Sequence, residues 1–515
     1  MKVIFTIFDT NFYNIFRIVH NNNGDPMKKK TLWQEGIEPL SDTKIDYKEK
    51  DVDILIIGGG IAAITALYQL SKTKKDVLLI DKDKIGFGVT SNTTGKLTYL
   101  QDQIYEQIID TYDTNTALSY LQAQRDAIAF VKQTVQREKI DCNFEEVDSY
   151  VFATKEEQIK KIDTLQSFLD LTEIKYESMD NIPIDIPSLK ALKVPHTAVF
   201  HPVKYLYELA HISLSKGVKI MENVRATDID QDGAFYITHT NAGKIRSKKV
   251  LICTHYPFFI RPGWVPFKSH IESSYVVATP VEDTKQFSAI TISNPIYSIR
   301  YHQDQQNYLL FASESDKTTK CKSKKEYYEK TSERFESFFH MKSSYAWSTH
   351  DIMPNDHLPL IGPISKKHPN VMIATGFQKW GMTNGTIAGI ILSELATDKH
   401  HPYEGLFLPY RPYNLKRCVQ TVKDGIDSVS AMIKSTFQSP KGQAKIEVRN
   451  GKRVGIYIDS KGREHIVSII CPHMKCHLLF NEVDCTWDCP CHGSRFDIDG
   501  NLLEGPSVFN IDQKK

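Results

Sequence analysis

The folded part of the chain opens with apolar and polar segments in an order that predicts a strand, a turn, a helix and a second strand. Residues 53–57 form a short apolar run, and the glycines at 58–60 follow it directly. Apolar residues then recur at helical spacing over 61–72, and a second apolar run at 77–80 ends on Asp81. This order predicts a βαβ unit of the kind that binds a dinucleotide.

A different pattern marks the C-terminal region. Short alternating stretches at 445–448, 454–458 and 466–470 predict strands, and an Asn-Gly turn joins the first two. Asn-Gly between alternating apolar residues is a strong hairpin signal. The sequence therefore predicts a small antiparallel β domain over 441–515.

The length of 515 residues exceeds what one hydrophobic core holds, so several domains are expected. We predict an N-terminal extension over 1–50, disordered over 1–26, followed by an α/β domain over 51–410. Apolar residues at helical spacing between 414 and 436 predict an amphipathic linker helix within 411–440.

The glycine turn of the βαβ unit suits phosphate binding. Gly58 permits the tight turn, Gly60 lets the backbone approach a pyrophosphate, and Ala63 still allows close helix packing. Exposed amides and the positive end of the helix dipole then hold the phosphates. Asp81, at the end of the second strand, is placed to accept hydrogen bonds from the adenosine ribose.

The loop after this acid identifies the cofactor further. Residues 85–96 form a long glycine and hydroxyl segment that suits a large cofactor. Here the chain resembles the FAD-dependent oxidoreductases of the D-amino-acid and glycine oxidase (DAO) class, in which a similar Gly/Ser/Thr loop lies near the flavin. The resemblance continues through 217–224 and 250–255 and covers residues 51 to 410.

The resemblance implies an α/β fold, with a GR2-type FAD-binding Rossmann domain and a mixed-sheet substrate domain. Segments of both kinds alternate along the chain. FAD-binding parts are expected at 51–135, 195–260 and 350–410, and substrate parts at 136–194 and 261–349.

A second glycine-rich turn follows the apolar run at 371–375. The helix predicted after it, from Thr386 through Glu394, would direct its positive end at reduced flavin. The residues assigned to FAD are Gly58, Gly60, Ala62, Ala63, Asp81, Lys82, Thr90, Thr93, Thr94, Val224, Gly376, Gly381, Met382 and Thr383.

No residue stands out in the sequence as a catalytic base. His255, Tyr256 and His357 lie in segments that should pass near the flavin ring. Lys379 is a candidate for stabilising reduced flavin, and Trp380 is a candidate for an apolar wall. Each of these residues also has an ordinary structural interpretation.

Cysteines crowd near the C-terminus, where five of the nine fall within 21 positions. Crowding of this kind indicates a metal first and disulfides second. Cys471-Pro472-His473 and Cys489-Pro490-Cys491-His492 offer two thiolates and two imidazoles. A [2Fe-2S] centre uses this ligand set when two histidines replace two cysteines on one iron.

These two loops and their strands resemble the Rieske family through residue 515. The resemblance implies that the first cysteine of each loop binds one iron and the two histidines bind the other. It also implies a disulfide that ties the loops together. The ligands would be Cys471, His473, Cys489 and His492, and the disulfide would join Cys476 and Cys491.

Zinc is the alternative at this site, because Cys and His spacings also build zinc ribbons. A CxH spacing is not the usual zinc knuckle, and disulfides alone would not explain paired histidines. Ser494 matches a family hydroxyl that donates to a cluster sulfur, whereas Phe496 replaces a tyrosine of the high-potential members. Fewer donors to sulfur predict a midpoint potential below that of respiratory-chain Rieske proteins.

The small net charge of the chain argues against two classes of partner. A net charge of +2 and a pI near 7.9 give no strong field for nucleic acid or an anionic membrane. The apolar N-terminal stretch is too short and polar to span a bilayer, which takes about 20 apolar residues. We therefore expect a cytoplasmic protein without a transmembrane segment.

Two redox cofactors in one chain predict an electron-transferring enzyme. Because a flavin takes up two electrons at once and the cluster carries one at a time, their combination predicts a dehydrogenase that passes electrons singly through the cluster to an unidentified acceptor. The resemblance implies that the substrate oxidised at the flavin is a small amine or amino acid. A direct oxidase is disfavoured, because the cluster would compete with oxygen. The alternatives are a reductase with reverse electron flow and an electron-transfer or redox-sensing protein.

Overall fold

The protein is described by a computed structural model over residues 19–20, 26–27, 31–37, 40, 50–258, 263–320, 324–412, 430 and 444–511. The disorder predicted for 1–26 and the linker helix predicted within 411–440 fall almost wholly outside these residues. None of the described helices combines the length and the apolar composition that crossing a bilayer requires.

Apolar strands from distant parts of the chain build the first sheet, which has eight strands within the described residues. Its central strands are parallel, and Lys50–Ile57 lies between Gly243–Ile252 and Val77–Ile80. All four residues of Val77–Ile80 are buried, as is typical of parallel strands covered on both faces. The strands are Lys50–Ile57, Val77–Ile80, Lys219–Met221, Ala226–Asp232, Phe235–Thr240, Gly243–Ile252, Leu360–Ser365 and His368–Thr375.

Two helices approach each other closely beside this sheet, Ile61–Leu70 and Gly381–Ala396. A Cβ atom added at Gly389 would lie 2.6 Å from the carbonyl oxygen of Ala62, so only glycine permits this approach. The second helix thus begins before the predicted Thr386, because its glycines serve packing within a helix. The other α-helices with described bounds are Ile104–Thr111, Thr114–Glu138, Glu156–Leu169, Pro202–Ser215, Lys324–Phe339 and Glu404–Phe407.

A second sheet has nine strands within the described residues. Phe287–Thr291 runs parallel to Glu145–Ala153, whereas its other neighbour is antiparallel. The sheet is therefore mixed, as predicted for the substrate domain. Its strands are Lys96–Leu97, Glu145–Ala153, Glu177–Met179, Lys190–Val199, Ser269–Pro280, Phe287–Thr291, Tyr297–His302, Tyr308–Lys317 and Tyr345–Pro354.

The C-terminal domain consists of two small antiparallel sheets. Asn450 and Gly451 both have positive φ, which is the hairpin geometry that an Asn-Gly pair favours. Trp487 is fully buried and faces Gly455 across the domain core. The protein thus combines an α/β part with a small β domain, which confirms the predicted fold class. The strands are Ala444–Arg449, Lys452–Ile458 and Glu464–Ser468 in one sheet, and Leu479–Asn481, Thr486–Asp488, Arg495–Phe496 and Leu502–Glu504 in the other.

Candidate redox site

A cavity of about 430 Å³ lies at the carboxyl ends of the parallel strands. In open α/β sheets this edge is where ligands bind. The glycine turn after Lys50–Ile57 forms one wall, and strands of the second sheet form the opposite wall. Residues Leu502–Val508 of the C-terminal domain form part of a third wall. All three parts of the protein therefore meet at one cavity.

The backbone at Gly58 approaches the neighbouring strand end so closely that a side chain has no room. Its φ is +112°, a conformation that residues with a Cβ rarely adopt. A Cβ there would lie 2.5 Å from the carbonyl oxygen of Cys253. Gly60 precedes the helix Ile61–Leu70, whose first amide donates to Thr90 Oγ1 at 3.2 Å. This geometry suits the predicted phosphate cradle.

Asp81 lies at the end of its strand, in the wall of the cavity. Its carboxylate accepts a hydrogen bond from the amide of Asp83 at 2.7 Å. Burial raises the pKa of Asp81 to about 7. Hydroxyl donors of a ribose at this position would supply the hydrogen bonds that a buried carboxylate needs.

The loop at 85–96 is held in place from outside the cavity. Arg300, fully buried, donates to the carbonyl oxygens of Thr94 at 2.9 Å and Gly95 at 2.7 Å. Trp33 donates to the carbonyl of Thr93 at 2.7 Å. Sequence patterns did not predict these supports, because Arg300 and Trp33 are remote from the loop along the chain.

Most residues assigned to FAD line the cavity, and three do not. Ala63 is buried in the helix that follows the glycine turn. Gly376 packs against Pro354, and Thr383 Oγ1 accepts a hydrogen bond from Gln101 at 3.3 Å. The cavity residues from the predicted set are Gly58, Gly60, Ala62, Asp81, Lys82, Thr90, Thr93, Thr94, Val224, Gly381 and Met382.

The candidate active-site residues divide in the same way. His255, Tyr256, Lys379 and Trp380 line the cavity, whereas His357 does not. Burial lowers the pKa of His255 to about 4, so its imidazole is neutral. Trp380 is buried at the start of the helix Gly381–Ala396 and offers an apolar wall.

Lys379 belongs to a group of partly buried charges beside the second sheet. Its Nζ lies 3.1 Å from a carboxylate oxygen of Glu272. Burial alone would lower the pKa of Lys379, but Glu272 and Asp351 raise it above its ordinary value. Lys379 therefore stays a cation, as a residue that stabilises negative charge must.

Two further groups in the cavity were missed by the sequence prediction. Lys96 Nζ donates to Ser298 Oγ at 2.5 Å, and burial lowers its pKa to about 7. Asp351 accepts a hydrogen bond from Ser274 Oγ at 2.8 Å, and burial raises its pKa to about 6. Both groups can exchange a proton near neutral pH. Nothing in the local sequence marks them, because only the second sheet brings them to the cavity.

The two cysteine and histidine loops of the C-terminal domain meet as predicted from their spacing. Cys471 and Cys489 are buried, and a hydrogen bond between their thiols lowers the pKa of Cys471. The rings of His473 and His492 lie 5.2 Å apart, centre to centre. Two thiols and two imidazoles thus converge in one small region.

The chemistry of these four side chains fits a [2Fe-2S] cluster. Burial lowers the pKa of His473 to about 4 and of His492 to about 3, so both imidazoles are neutral and have a free lone pair. Nδ1 of each ring is buried and has no hydrogen-bond partner among the described residues. Buried polar atoms are rarely left unpaired, so an iron ion would satisfy them.

The disulfide between Cys476 and Cys491 is present and ties the two loops together. Their sulfurs also lie within 4.8 Å of the Cys489 sulfur, but disulfide sulfurs are not thiolate ligands. Cys489 is therefore grouped with Cys471 rather than with the disulfide. Cys485 is partly exposed and lies apart from the four candidate ligands.

Ser494 and Phe496 lie next to the thiols in the core of the C-terminal domain. Ser494 forms a hydrogen bond that lowers the pKa of Cys471, and Phe496 is fully buried. We expect Phe496→Tyr to raise the midpoint potential of the cluster, because a phenol donor to sulfur stabilises the reduced form. A redox titration checks this, with Phe480→Tyr as control; equal potentials in Phe496→Tyr and wild type would contradict it.

Comparison with known protein families agrees with this geometry. Residues 53–395 match the family described as FAD dependent oxidoreductase, and residues 430–513 match the Rieske [2Fe-2S] domain. YhfW of Bacillus subtilis (strain 168), described as a Rieske 2Fe-2S iron-sulfur protein, is 33% identical over 495 residues. That alignment covers 94% of this chain and 97% of YhfW.

Solved structures show the same fold in the flavoprotein part. Glycine oxidase from Geobacillus kaustophilus superposes with a TM-score of 0.58 at 18% identity and covers 71% of this chain and all of its own. L-proline dehydrogenase from P. horikoshii superposes with a TM-score of 0.58 at 17% identity, covering 70% of this chain and 98% of its own.

Proposed function

This chain belongs to the FAD dependent oxidoreductase family and carries a C-terminal Rieske domain; from this premise we propose that it is a dehydrogenase of small amines or amino acids. When bound, FAD accepts a hydride and releases electrons singly, and the [2Fe-2S] cluster carries them one at a time to an acceptor. A built-in cluster beside the flavin favours this route over direct reaction with oxygen.

One observation carries the proposal: the C-terminal domain lines the same cavity as the glycine turn. Leu502–Val508 and Gly58 both belong to its walls. The backbone amide of Ser507 donates to Ser494 Oγ, in the cluster loop, at 3.0 Å. The two cofactor sites are therefore neighbours within one chain, as a two-electron to one-electron converter requires.

Side chains at the second sheet fit a cationic amine. Asp351, with its pKa raised to about 6 by burial, is ionised at neutral pH and attracts an ammonium group. Val276, Ile290 and Ile296 supply an apolar wall for a small aliphatic substituent. Hydride loss requires the neutral amine, so a proton acceptor in the cavity assists the reaction.

Lys96 is placed to be that acceptor. Its Nζ contacts Ser298, and no carboxylate among the described residues forms an ion pair with it. Because burial lowers the pKa of Lys96 to about 7, a substantial share of the Lys96 side chains is neutral at physiological pH. The neutral Lys96 side chain accepts a proton from the ammonium group of the substrate. The substrate, now a neutral amine, can then lose its hydride.

An anaerobic substrate screen tests the proposed function. The holoprotein is mixed with a panel of primary amines, secondary amines and amino acids, and the flavin absorbance is followed. We expect at least one of them to bleach the flavin and then reduce the cluster, with turnover restored by an artificial acceptor. Bleaching by a reduced carrier protein and by none of the amines would instead support reverse electron flow.

We expect the Lys96→Met variant to lower kcat/KM for the amine roughly a hundredfold, the usual size of a general-base contribution. The wild-type value should rise with pH, with an inflection near pH 7, because protonated Lys96 cannot accept a proton. The variant should lose this inflection. Lys84→Met is the control, because Lys84 directly precedes this loop and lies outside the cavity. A wild-type pH profile in Lys96→Met would contradict the assignment.

A further inference from the structure

The cluster loop touches a strand whose neighbouring residues line the flavin cavity. A Cβ added at Gly493 would lie 3.4 Å from Nδ1 of His350 in the second sheet. Thr349 and Asp351, on either side of His350, belong to the wall of the cavity. His350 therefore contacts the cluster loop, while its two neighbours in the same strand line the flavin cavity.

A second connection runs through the end of the C-terminal domain. Its residues Leu502–Val508 line the cavity, and the amide of Ser507 donates to Ser494 in the cluster loop. Lys82, beside the ribose-binding acid, donates from Nζ to the carbonyl of Leu503 at 2.7 Å. The segment is thus in contact with the cofactor site on one side and the cluster loop on the other.

One ion pair and one histidine–carboxylate contact join the domains around these contacts. Lys324 Nζ lies 2.9 Å from a carboxylate oxygen of Asp488, and only 10% and 15% of the two side chains are exposed. His350 Nδ1 lies 3.3 Å from a carboxylate oxygen of Glu504. The Lys324–Asp488 pair is partly desolvated, so loss of one partner leaves a charge without compensation.

Ring nitrogens at the histidine end of the cluster site are buried, although both histidines are partly exposed. Both ring nitrogens of His473 are buried, and neither has a hydrogen-bond partner among the described residues. One nitrogen suffices to bind iron, so the other is covered by protein rather than open to water.

We propose that the iron-sulfur domain works in a fixed docked position, held by the Lys324–Asp488 ion pair and the His350–Glu504 contact. The two cofactors exchange one electron at a time. In the direction from flavin to cluster, reduced flavin loses one electron and the oxidised cluster gains it, and no bond to the protein forms or breaks. The proposal rests on electron exchange between the two cofactors, but not on its direction or on the substrate.

Charge reversal at Lys324 tests the docked arrangement in the full-length holoprotein. Lys324→Glu places two carboxylates against each other, so we expect a larger radius of gyration in small-angle X-ray scattering. Electron exchange after photoreduction of the flavin should be at least tenfold slower. Lys325→Glu is the matched control, because Lys325 has the same charge on the same helix and pairs only loosely with Glu329 at 3.7 Å. It should behave as wild type.

The wild-type protein supplies a second test that needs no variant. Buried pairs are screened little by salt, so the radius and the exchange rate should stay constant between about 0.05 and 0.5 M ionic strength. Salt-dependent values in wild type, or wild-type values in Lys324→Glu, would overturn the proposal. Glu504→Gln replaces Lys324→Glu if the latter does not bind both cofactors. Photoreduction requires no amine, so a failed substrate screen would refute the proposed function alone.

Discussion

The Cys489→Ser variant is expected to lose the [2Fe-2S] cluster completely and to retain FAD. Serine cannot replace the thiolate, because a hydroxyl does not ionise near neutral pH, and three ligands do not hold the cluster. The domain should stay folded, since the Cys476–Cys491 disulfide and the buried Trp487 do not depend on this thiol. Iron, acid-labile sulfide and flavin content of the purified variant are the measurements.

Cys485→Ser is the matched control for this variant. Cys485 belongs to the same domain but is partly exposed, and its thiol makes two weak contacts, with the carbonyl of Glu482 at 3.8 Å and with the hydroxyl of Tyr457 at 3.9 Å. It should retain iron and sulfide at the wild-type level. Full sulfide content in Cys489→Ser would contradict the ligand assignment, and wild-type protein with zinc and no sulfide would contradict the cluster itself.

The Gly58→Ala variant is expected to bind FAD at least a hundredfold more weakly than wild type. Alanine at φ +112° is strained, which costs about 1–3 kcal/mol, and its Cβ would also meet the backbone of Cys253. Relief of this clash must move the turn away from the strand end, so its amides no longer face the phosphates. Since 1.4 kcal/mol is about tenfold in affinity, these costs together give the stated loss. Equilibrium titration of apoprotein with FAD measures the effect.

Gly88→Ala controls for the substitution itself. Gly88 lines the same cavity, but its φ is −82° and no atom lies within 4 Å of an added Cβ. We expect nearly unchanged FAD affinity in this variant. An equal loss in both variants would mean that the cavity tolerates no added methyl group, and the special role of Gly58 would then be rejected.

Local patterns were sufficient for the elements whose cause is local. The strand, glycine turn and helix at 50–70 follow from apolar spacing and from the conformational freedom of glycine. The hairpin at Asn450-Gly451 follows from the positive φ values that these residues accept. The start of the helix at Gly381 was placed too late, because a glycine needed for close helix packing has the same local signal as a glycine in a turn.

Local patterns did not predict the titratable groups of the cavity. Lys96 and Asp351 have no motif, and their importance arises only when the second sheet places them at the cavity. Burial then shifts the pKa of each toward neutrality. Burial depends on neighbours from distant segments, so composition and spacing carry no signal for it.

The sequence by itself determined the two cofactors. The cluster requires thiolate and imidazole ligands at fixed spacing, the dinucleotide requires glycines in a tight turn, and both requirements can be recognised from residue type. Only the tertiary structure decided how the two sites are joined. The contacts of Lys324 with Asp488 and of His350 with Glu504 bring together positions more than 150 residues apart. Such pairing depends on the free energy of the whole packed chain, which no single segment contains.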